Sequence, residues 1–358
     1  MKTKSYLLVA AFFLLPASLA QAQTIASGRE YTVKSGDTLE SIALKFLGSP
    51  AKWRDLMAAN PEIKNKDFIC PGSAIRIGQT VAAKRATIQQ IFRQVEQMPF
   101  PRPWAPASVG GVLQERDGVR TFEKSSSELQ FDNNSKMIMS EESVVFLREA
   151  TPAPQNVSRK AIEIRAGQAD LDVGGSENGR QNDIELHIGN TRATTRAAAS
   201  GRGASRARRT ADGGSRIMVY DGESEVNAGG QTVAVSPGMG IAVTFDGKTT
   251  GPEKLLSAPK PLAPNESQNF DFSNPTFEWE QSPGAATYTV DVCRNPECAQ
   301  LVDRASGVRG TRWTPRVLPI GTLYWRVSAV TASGLDSPVS TPLKFNIRTY
   351  WRRPIDQN

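Results

Sequence analysis

The histidines and cysteines set the first limit on the chemistry of this chain. Its 358 residues include one histidine, His187, and three cysteines. A histidine-based metal site needs several ligands, and a Cys–His nucleophile needs a thiol beside the imidazole. His187 lies in ELHIGN, whose alternation predicts a strand, and Cys70 is far from it along the chain. Because no pair of carboxylates stands out as glycosidase chemistry would require, we expect no catalytic residue, no metal and no cofactor.

Two of the cysteines are close enough to pair. Cys293 and Cys298 flank the turn-forming Asn295-Pro296 in CRNPEC. In an oxidising compartment such a pair closes a small loop as a disulfide. The alternative is half of a metal site, but no second Cys or His pair exists to complete it. For Cys70 we expect a buried position, as a small apolar residue in a core.

Turn residues near the N-terminus have a spacing that suits binding. Gly36-Asp37 follows the strand-like Tyr31–Val33, and Thr38 can cap a helix. A second helix ends at Asn60-Pro61, because the residue before proline disfavours helical geometry. The helices and a last strand are expected to bury these apolar residues: Leu39, Ile42, Ala43, Phe46, Trp53, Leu56, Met57, Ile75 and Ile77. Residues 30–78 therefore predict the order strand, helix, helix, strand.

The phrases YTVKSGDTLESIALKF, WRDLMAANPEI and DFICPGSAIRI resemble a LysM domain over this whole segment. The resemblance implies a shallow groove between two loops that binds the N-acetylglucosamine units of peptidoglycan. The implied glycan-binding residues are Gly36, Asp37, Thr38, Leu39, Asn60, Pro61 and Ile63. Leu39 and Ile63 are expected to supply an apolar wall, whereas Asp37 either contacts the ligand or holds its turn through hydrogen bonds to the backbone.

The first residues predict export. Lys2 and Lys4 precede an apolar run from Tyr6 to Leu15, and Ala20-Gln21-Ala22 has the small-x-small pattern of a cleavage site. We expect residues 1–22 to be a signal peptide, with the mature chain in the periplasm or secreted. No later segment is long and apolar enough for a transmembrane anchor.

The composition favours short strands and turns in the rest of the chain, with 29 Gly, 23 Pro and 39% hydrophobic residues. We expect a helical and Pro-rich linker at 79–107, with an exposed helix over Val81–Gln97, and an all-β roll or sandwich at 108–252. Phrases such as Ile164-Arg165-Ala166-Gly167 and Val219-Tyr220-Asp221-Gly222 resemble a FecR-like domain. The Arg-rich stretch at 192–209 departs from that wording, and we interpret it as a solvated strand edge guarded by charge.

A second Pro-rich linker, at 253–264, leads to the last predicted domain. Residues 265–348 resemble a fibronectin type III-like β-sandwich, in which we expect Trp279 and Trp325 to be core residues. Residues 349–358 form a tail. The expected fold class is thus multidomain and mainly β: a small βααβ module, an all-β roll or sandwich, and a C-terminal immunoglobulin-like sandwich.

These features predict a cell-envelope protein that binds peptidoglycan and acts as a non-catalytic scaffold for envelope partners. The net charge of +7 suits anionic polymers in general, but export argues against nucleic acid. The alternatives are a periplasmic FecR-like sensor or regulatory component of envelope signalling, and an enzyme with a carboxylate site that its context does not reveal.

Overall fold

The computed structural model describes residues 29–47, 49–60, 62–77, 86–154, 156–176, 180–198 and 201–351. The predicted signal peptide, 1–22, and Pro61 lie outside these ranges. The chain is mainly β and divides into two units, Met1–Val81 and Ala82–Asn358. Within the described ranges, no helix combines the length and apolar character needed to span a bilayer.

The N-terminal unit has the predicted order of elements. It contains β1 (Arg29–Thr32), α1 (Leu39–Leu47), a 3-10 turn (Pro50–Lys52), α2 (Trp53–Ala59) and β2 (Ala74–Ile77). The two strands are antiparallel, with Tyr31 opposite Ile75. Their core contains the side chains of Val33, Leu39, Ile42, Ala43, Leu56, Ile75 and Ile77.

Residues 86–254 form two nine-stranded sheets, which we call the roll. Its strands are β3 (Ala86–Phe92), β4 (Val95–Met98), β5 (Ala105–Pro106), β6 (Val112–Leu113), β7 (Gly118–Thr121), β8 (Ser126–Phe131), β9 (Lys136–Met139), β10 (Val144–Arg148), β11 (Val157–Ala166), β12 (Gln168–Gly174), β13 (Gln181–Ile188), β14 (Thr191–Arg196), β15 (Arg202–Arg209), β16 (Ser215–Asp221), β17 (Glu223–Ala228), β18 (Gln231–Val235), β19 (Met239–Val243) and β20 (Thr249–Lys254).

One sheet has the order β18-β17-β14-β13-β11-β10-β7-β4-β5, and the other has β20-β19-β16-β15-β12-β9-β8-β3-β6. Alternate side chains of both sheets point into one shared core, as in β17, where Ser224, Val226 and Ala228 are buried and their neighbours are exposed.

The helix predicted over Val81–Gln97 is wrong where the structure describes it. Residues 86–98 form β3 and β4, one in each sheet, and β3 pairs with β8. The residue pattern was misleading as evidence for a helix, because β-branched and aromatic residues such as Ile88, Ile91 and Phe92 favour strands once a partner strand is present. The Pro-rich segment that follows is likewise part of the roll: Trp104 contacts Phe146 edge-on at 5.8 Å. The roll therefore begins near residue 86, not 108.

The Arg-rich stretch is not a strand edge, which corrects our interpretation. It is divided between β14, in one sheet, and β15, in the other. β15 lies between β12 and β16, and Arg206 on it is buried. Arg206 can be buried because Asp170, 36 residues away in the sequence, accepts hydrogen bonds from its guanidinium group.

Residues 261–347 form a second β-sandwich, which we call the sandwich. Its strands are β21 (Pro261–Ala263), β22 (Gln268–Phe270), β23 (Phe277–Trp279), β24 (Thr287–Cys293), β25 (Leu301–Val308), β26 (Arg312–Trp313), β27 (Gly321–Val330) and β28 (Leu343–Ile347). The sheets have the orders β21-β23-β26 and β22-β28-β27-β24-β25. Trp279 and Trp325 are buried in its core, as predicted. Cys293, at the end of β24, forms a disulfide with Cys298, with 5.2 Å between their Cα atoms.

Five charged side chains meet where the roll contacts the sandwich: Arg206, Asp291 and Arg326 are buried, and Asp170 and Arg304 are partly buried. Asp170 on β12 accepts two hydrogen bonds from Arg206 (2.5 and 3.0 Å), and Asp291 on β24 accepts from Arg304 (2.6 Å) and Arg326 (3.1 Å). An Arg326 nitrogen lies 3.8 Å from the Asp170 carboxylate, which joins the two groups. Burial opposes ionisation of Asp291, but Arg304 and Arg326 outweigh it and hold its pKa well below the usual range.

Further contacts extend this cluster into a continuous interface between the roll and the sandwich, which we call the joint. Arg208 donates to the Gly334 carbonyl and lies 3.1 Å from the Asp336 carboxylate, and Arg216 donates to the Ser333 carbonyl (2.6 Å). An apolar cluster adds the side chains of Met218, Ala242, Leu255 and Leu335. Because Leu255 belongs to the predicted linker at 253–264, that segment is packed between the two β domains and does not act as a free spacer.

Candidate functional site

The turn after β1 is held by the Asp37 carboxylate. Gly36 has a φ of +89°, a conformation that glycine adopts without steric cost. One oxygen of Asp37 accepts hydrogen bonds from the Lys34 N–H and from the Tyr31 hydroxyl, both at 2.8 Å. These bonds lower the pKa of Asp37, and the bond to Asp37 raises the pKa of Tyr31. Asp37 thus has the turn-holding contacts that we weighed against a ligand role.

Thr38 begins α1 as its cap. Its hydroxyl accepts from the Ser41 N–H at 3.0 Å, and the Ser41 hydroxyl accepts from the Thr38 N–H at 2.9 Å. This reciprocal pair is a capping box with serine at the third helical position. Thr38 is exposed, so the cap lies at the surface two residues after the Gly36 turn.

Two of the predicted glycan-binding side chains face inward, which corrects the expectation. Leu39 is 0% exposed and packs in the core, because it starts the apolar stripe of α1. Asn60 is also 0% exposed. Its amide donates to the carbonyls of Leu56 (2.7 Å) and Arg76 (2.6 Å), and its oxygen accepts from the Arg76 N–H (2.8 Å). Asn60 therefore ties the end of α2 to β2, and neither side chain is available to a ligand in this structure.

A groove of about 410 Å³ lies along the connection between α2 and β2. Ile63 is the one predicted site residue among its described lining. Residues that we did not predict complete it, including Phe68, which is 79% exposed. Cys70 also lines the groove and is exposed, so the expected core position was wrong. It lies in a loop where the backbone turns toward β2, and no helical or strand period indicated which side chains would be covered.

Charged residues of the N-terminal unit, including Glu62 of the groove, form ion pairs at the surface. Arg76 contacts Glu62 at 2.9 Å, and both side chains are about half exposed. Lys66 contacts Glu40 at 3.1 Å and also lies 5.7 Å from the ring centre of Trp53. In the groove itself, the exposed Phe68 ring and polar residues such as Asn65 suit an uncharged ligand that offers both hydroxyl groups and apolar faces.

His187 is part of a polar anchor on the roll. It is partly exposed, and its Nε2 lies 2.7 Å from a carboxylate oxygen of Glu185, which is fully buried. The other Glu185 oxygen accepts from the Thr151 N–H (3.1 Å) and hydroxyl (2.6 Å). Burial lowers the pKa of His187. Glu185 thus fastens the segment between β10 and β11 to the sheet.

The comparisons with known proteins agree with the assignment of the N-terminal unit. The LysM domain family model matches residues 31–78. No curated protein matches the chain. Among solved structures, a putative anti-sigma factor from Parabacteroides distasonis has 14% identity and a TM-score of 0.30, over 38% of this chain and 59% of that one. The fibronectin(III)-like modules of Clostridium thermocellum CbhA have 9% identity and a TM-score of 0.21, over 57% and 94%.

A third structure is SGBP-B of Bacteroides ovatus, in complex with a mixed-linkage heptasaccharide. It has 11% identity and a TM-score of 0.16, over 74% of this chain and 60% of that one. The chain spans 59% of the anti-sigma factor's length, and TM-scores this low support no statement about function. The family match stands apart from them because it covers the strands, helices and turns of the N-terminal unit: residues 31–78 of this chain are a LysM domain.

Proposed function

We propose that this protein is exported to the cell envelope and binds the N-acetylglucosamine glycan of peptidoglycan through its LysM domain. The observation that carries the proposal is the family match over residues 31–78. The groove beside Ile63 supports it, because an open surface with an exposed aromatic ring and backbone polar groups suits an acetamido sugar.

We further propose that the roll and the sandwich form a non-catalytic scaffold presented to envelope partners. Their buried joint supports this role, since it fixes two β domains as one body with large outward surfaces. The FecR-like phrases support a FecR-like roll: Gly167 lies at the turn from β11 to β12, and Gly222 lies at the turn from β16 to β17.

A pulldown with insoluble peptidoglycan tests the binding proposal. The chain from Gln23 onward should sediment with purified sacculi, and a truncated chain that starts at Ala82, the boundary of the second unit, should not. Equal sedimentation of both chains would overturn the proposal. Release of soluble muropeptides from the sacculi would instead reveal an enzyme.

Two point variants test whether the glycan binds in the groove. Phe68→Ala removes an exposed ring from the groove, whereas Leu44→Ala removes an exposed side chain from α1 that does not line it. We expect about tenfold weaker binding of a chito-oligosaccharide for Phe68→Ala, a loss of roughly 1.4 kcal/mol, and unchanged binding for Leu44→Ala. Titration calorimetry measures both, and identical affinities would place the ligand elsewhere.

A further inference from the structure

β18 forms one outer edge of the roll and differs from the other outer strands. It is a regular five-residue strand, QTVAV, and pairs with β17 without a bulge. In the part of the chain that the structure describes, no strand pairs with its other side. The outward N–H and C=O groups of an edge strand can be satisfied by water or by another strand.

The other three edges of the roll carry features that discourage pairing. β5 and β6 have two residues each, and Pro106 ends β5. β20 contains Pro252 and Lys254, and its register with β19 shifts. Short strands, prolines, lysines and bulges are the means by which proteins blunt sheet edges. β18 has none of these features: it is five residues long, contains no proline or charged residue, and has no bulge.

The side chains of β18 define what would fit beside it. Thr232 and Ala234 are small and exposed on the outer face. Val233, on the inner face, packs against the core but stays partly exposed at the edge. A matching strand must therefore bring an apolar side chain opposite Val233 and small uncharged side chains opposite the other two.

We propose that β18 pairs with β18 of a second copy of this chain, as an antiparallel strand pair that joins the two sheets across a twofold axis. With the axis at Val233, this residue meets its own symmetry mate, and Thr232 meets Ala234 of the other copy. The strand is thus its own complement, which a twofold interface requires.

The charges next to β18 tolerate this pairing. Glu223 and Glu225 are the exposed acidic residues of β17, the strand that pairs with β18. In the dimer the two β17 strands are three strand spacings apart, roughly 14 Å. This exceeds the Debye length of about 8 Å at physiological salt, so their repulsion is largely screened. A pairing of five residues buries little surface, so the dimer is a weak one, with a Kd between micromolar and millimolar.

Sedimentation equilibrium of the chain from Gln23 onward, at concentrations from micromolar to millimolar, tests the proposal. We expect a monomer–dimer equilibrium for the native chain. The double variant Thr232→Lys/Ala234→Lys places ammonium groups opposite each other at both flanking pairs, and it should raise the dimer Kd by about tenfold or more.

The control Thr322→Lys/Ser306→Lys adds the same charge at exposed positions on β27 and β25 of the sandwich and should dimerise like the native chain. Circular dichroism and the thermal midpoint establish that both variants are folded. A native chain that stays monomeric throughout, or equal dimerisation of both double variants, would overturn the proposal, even if β18 paired with another polypeptide. Loss of peptidoglycan binding does not bear on it, because the LysM domain is a separate unit.

Discussion

Ion pairs on the LysM domain and ion pairs where the sandwich meets the roll have the same chemistry but lie in opposite environments. The pair of Arg76 and Glu62 is about half exposed on both sides. Asp291 and Arg326 are 4% and 10% exposed as side chains. Water already solvates the first pair, so its removal changes little. Removal of one member of the second leaves a buried charge without a partner, and that penalty is large.

The largest expected effect is therefore at Asp291. Replacement by alanine leaves the guanidinium groups of Arg304 and Arg326 buried without their shared carboxylate. We expect the free energy of unfolding of the second unit to fall by about 3–5 kcal/mol. Denaturant titration followed by tryptophan fluorescence measures it, because Trp279 and Trp325 are buried in the sandwich. Exposed Asp271, replaced in the same way, is the control and should leave the midpoint unchanged; an equal shift would contradict the comparison.

Acid should weaken the same joint. Despite burial, arginine neighbours lower the pKa of Asp291 and of Asp170 in the folded protein. A lowered folded pKa contributes stability that is present above the unfolded value, about 3.9 for aspartate, and is lost as the pH falls toward the folded value. We expect the thermal midpoint of the second unit to drop below about pH 4, with a shallower slope in Asp291→Asn. Identical slopes for this variant and the native chain would exclude Asp291 as the titrating group.

An intermediate effect is expected at Asn60, which is buried but uncharged. Asn60→Ala removes three hydrogen bonds and leaves the backbone groups of Leu56 and Arg76 unsatisfied. A loss of about 1–3 kcal/mol is expected in the LysM domain. Hydrogen-exchange rates of peptides from α2 and β2 measure the stability of this domain separately from that of the roll. If glycan binding fell while exchange stayed native, Asn60 would instead be a ligand residue.

The smallest effect is expected at the exposed pair. Glu62→Gln removes the charge opposite Arg76 and keeps the shape of the side chain. We expect no measurable change in the exchange rates of α2 and β2. A loss as large as that of Asn60→Ala would contradict the comparison, because a solvated ion pair would then stabilise the domain as much as a buried hydrogen-bonded side chain.

Local patterns were sufficient for the LysM domain. Gly36, the Thr38 cap and the apolar stripe of α1 act within a few residues of one another, so their spacing indicates the structure. The same reasoning predicted a groove between two loops, whereas the observed groove lies along the connection from α2 to β2 and includes Ile63 but none of Gly36 to Leu39. Leu39 and Asn60 turn inward and Phe68 turns outward because tertiary packing decides it.

Long-range partners account for what the sequence did not reveal. Arg206 pairs with Asp170, 36 residues away, and Arg208 donates to a carbonyl 126 residues away. A cluster of arginines has the appearance of a solvated surface until these partners are known. The strands at 86–98 were missed for a related reason, since β3 acquires its identity from β8.

The buried charges at the joint also bear on how this protein can change over generations. Asp170 and Arg206 belong to the roll, and Asp291, Arg304 and Arg326 belong to the sandwich. Exchange of either domain alone would keep these pairs but remove the contacts of Arg326 with Asp170 and of Arg208 with Asp336. We therefore expect the two domains to be inherited together. The LysM domain contains none of these residues, so we expect its exchange for another LysM domain to leave the joint intact.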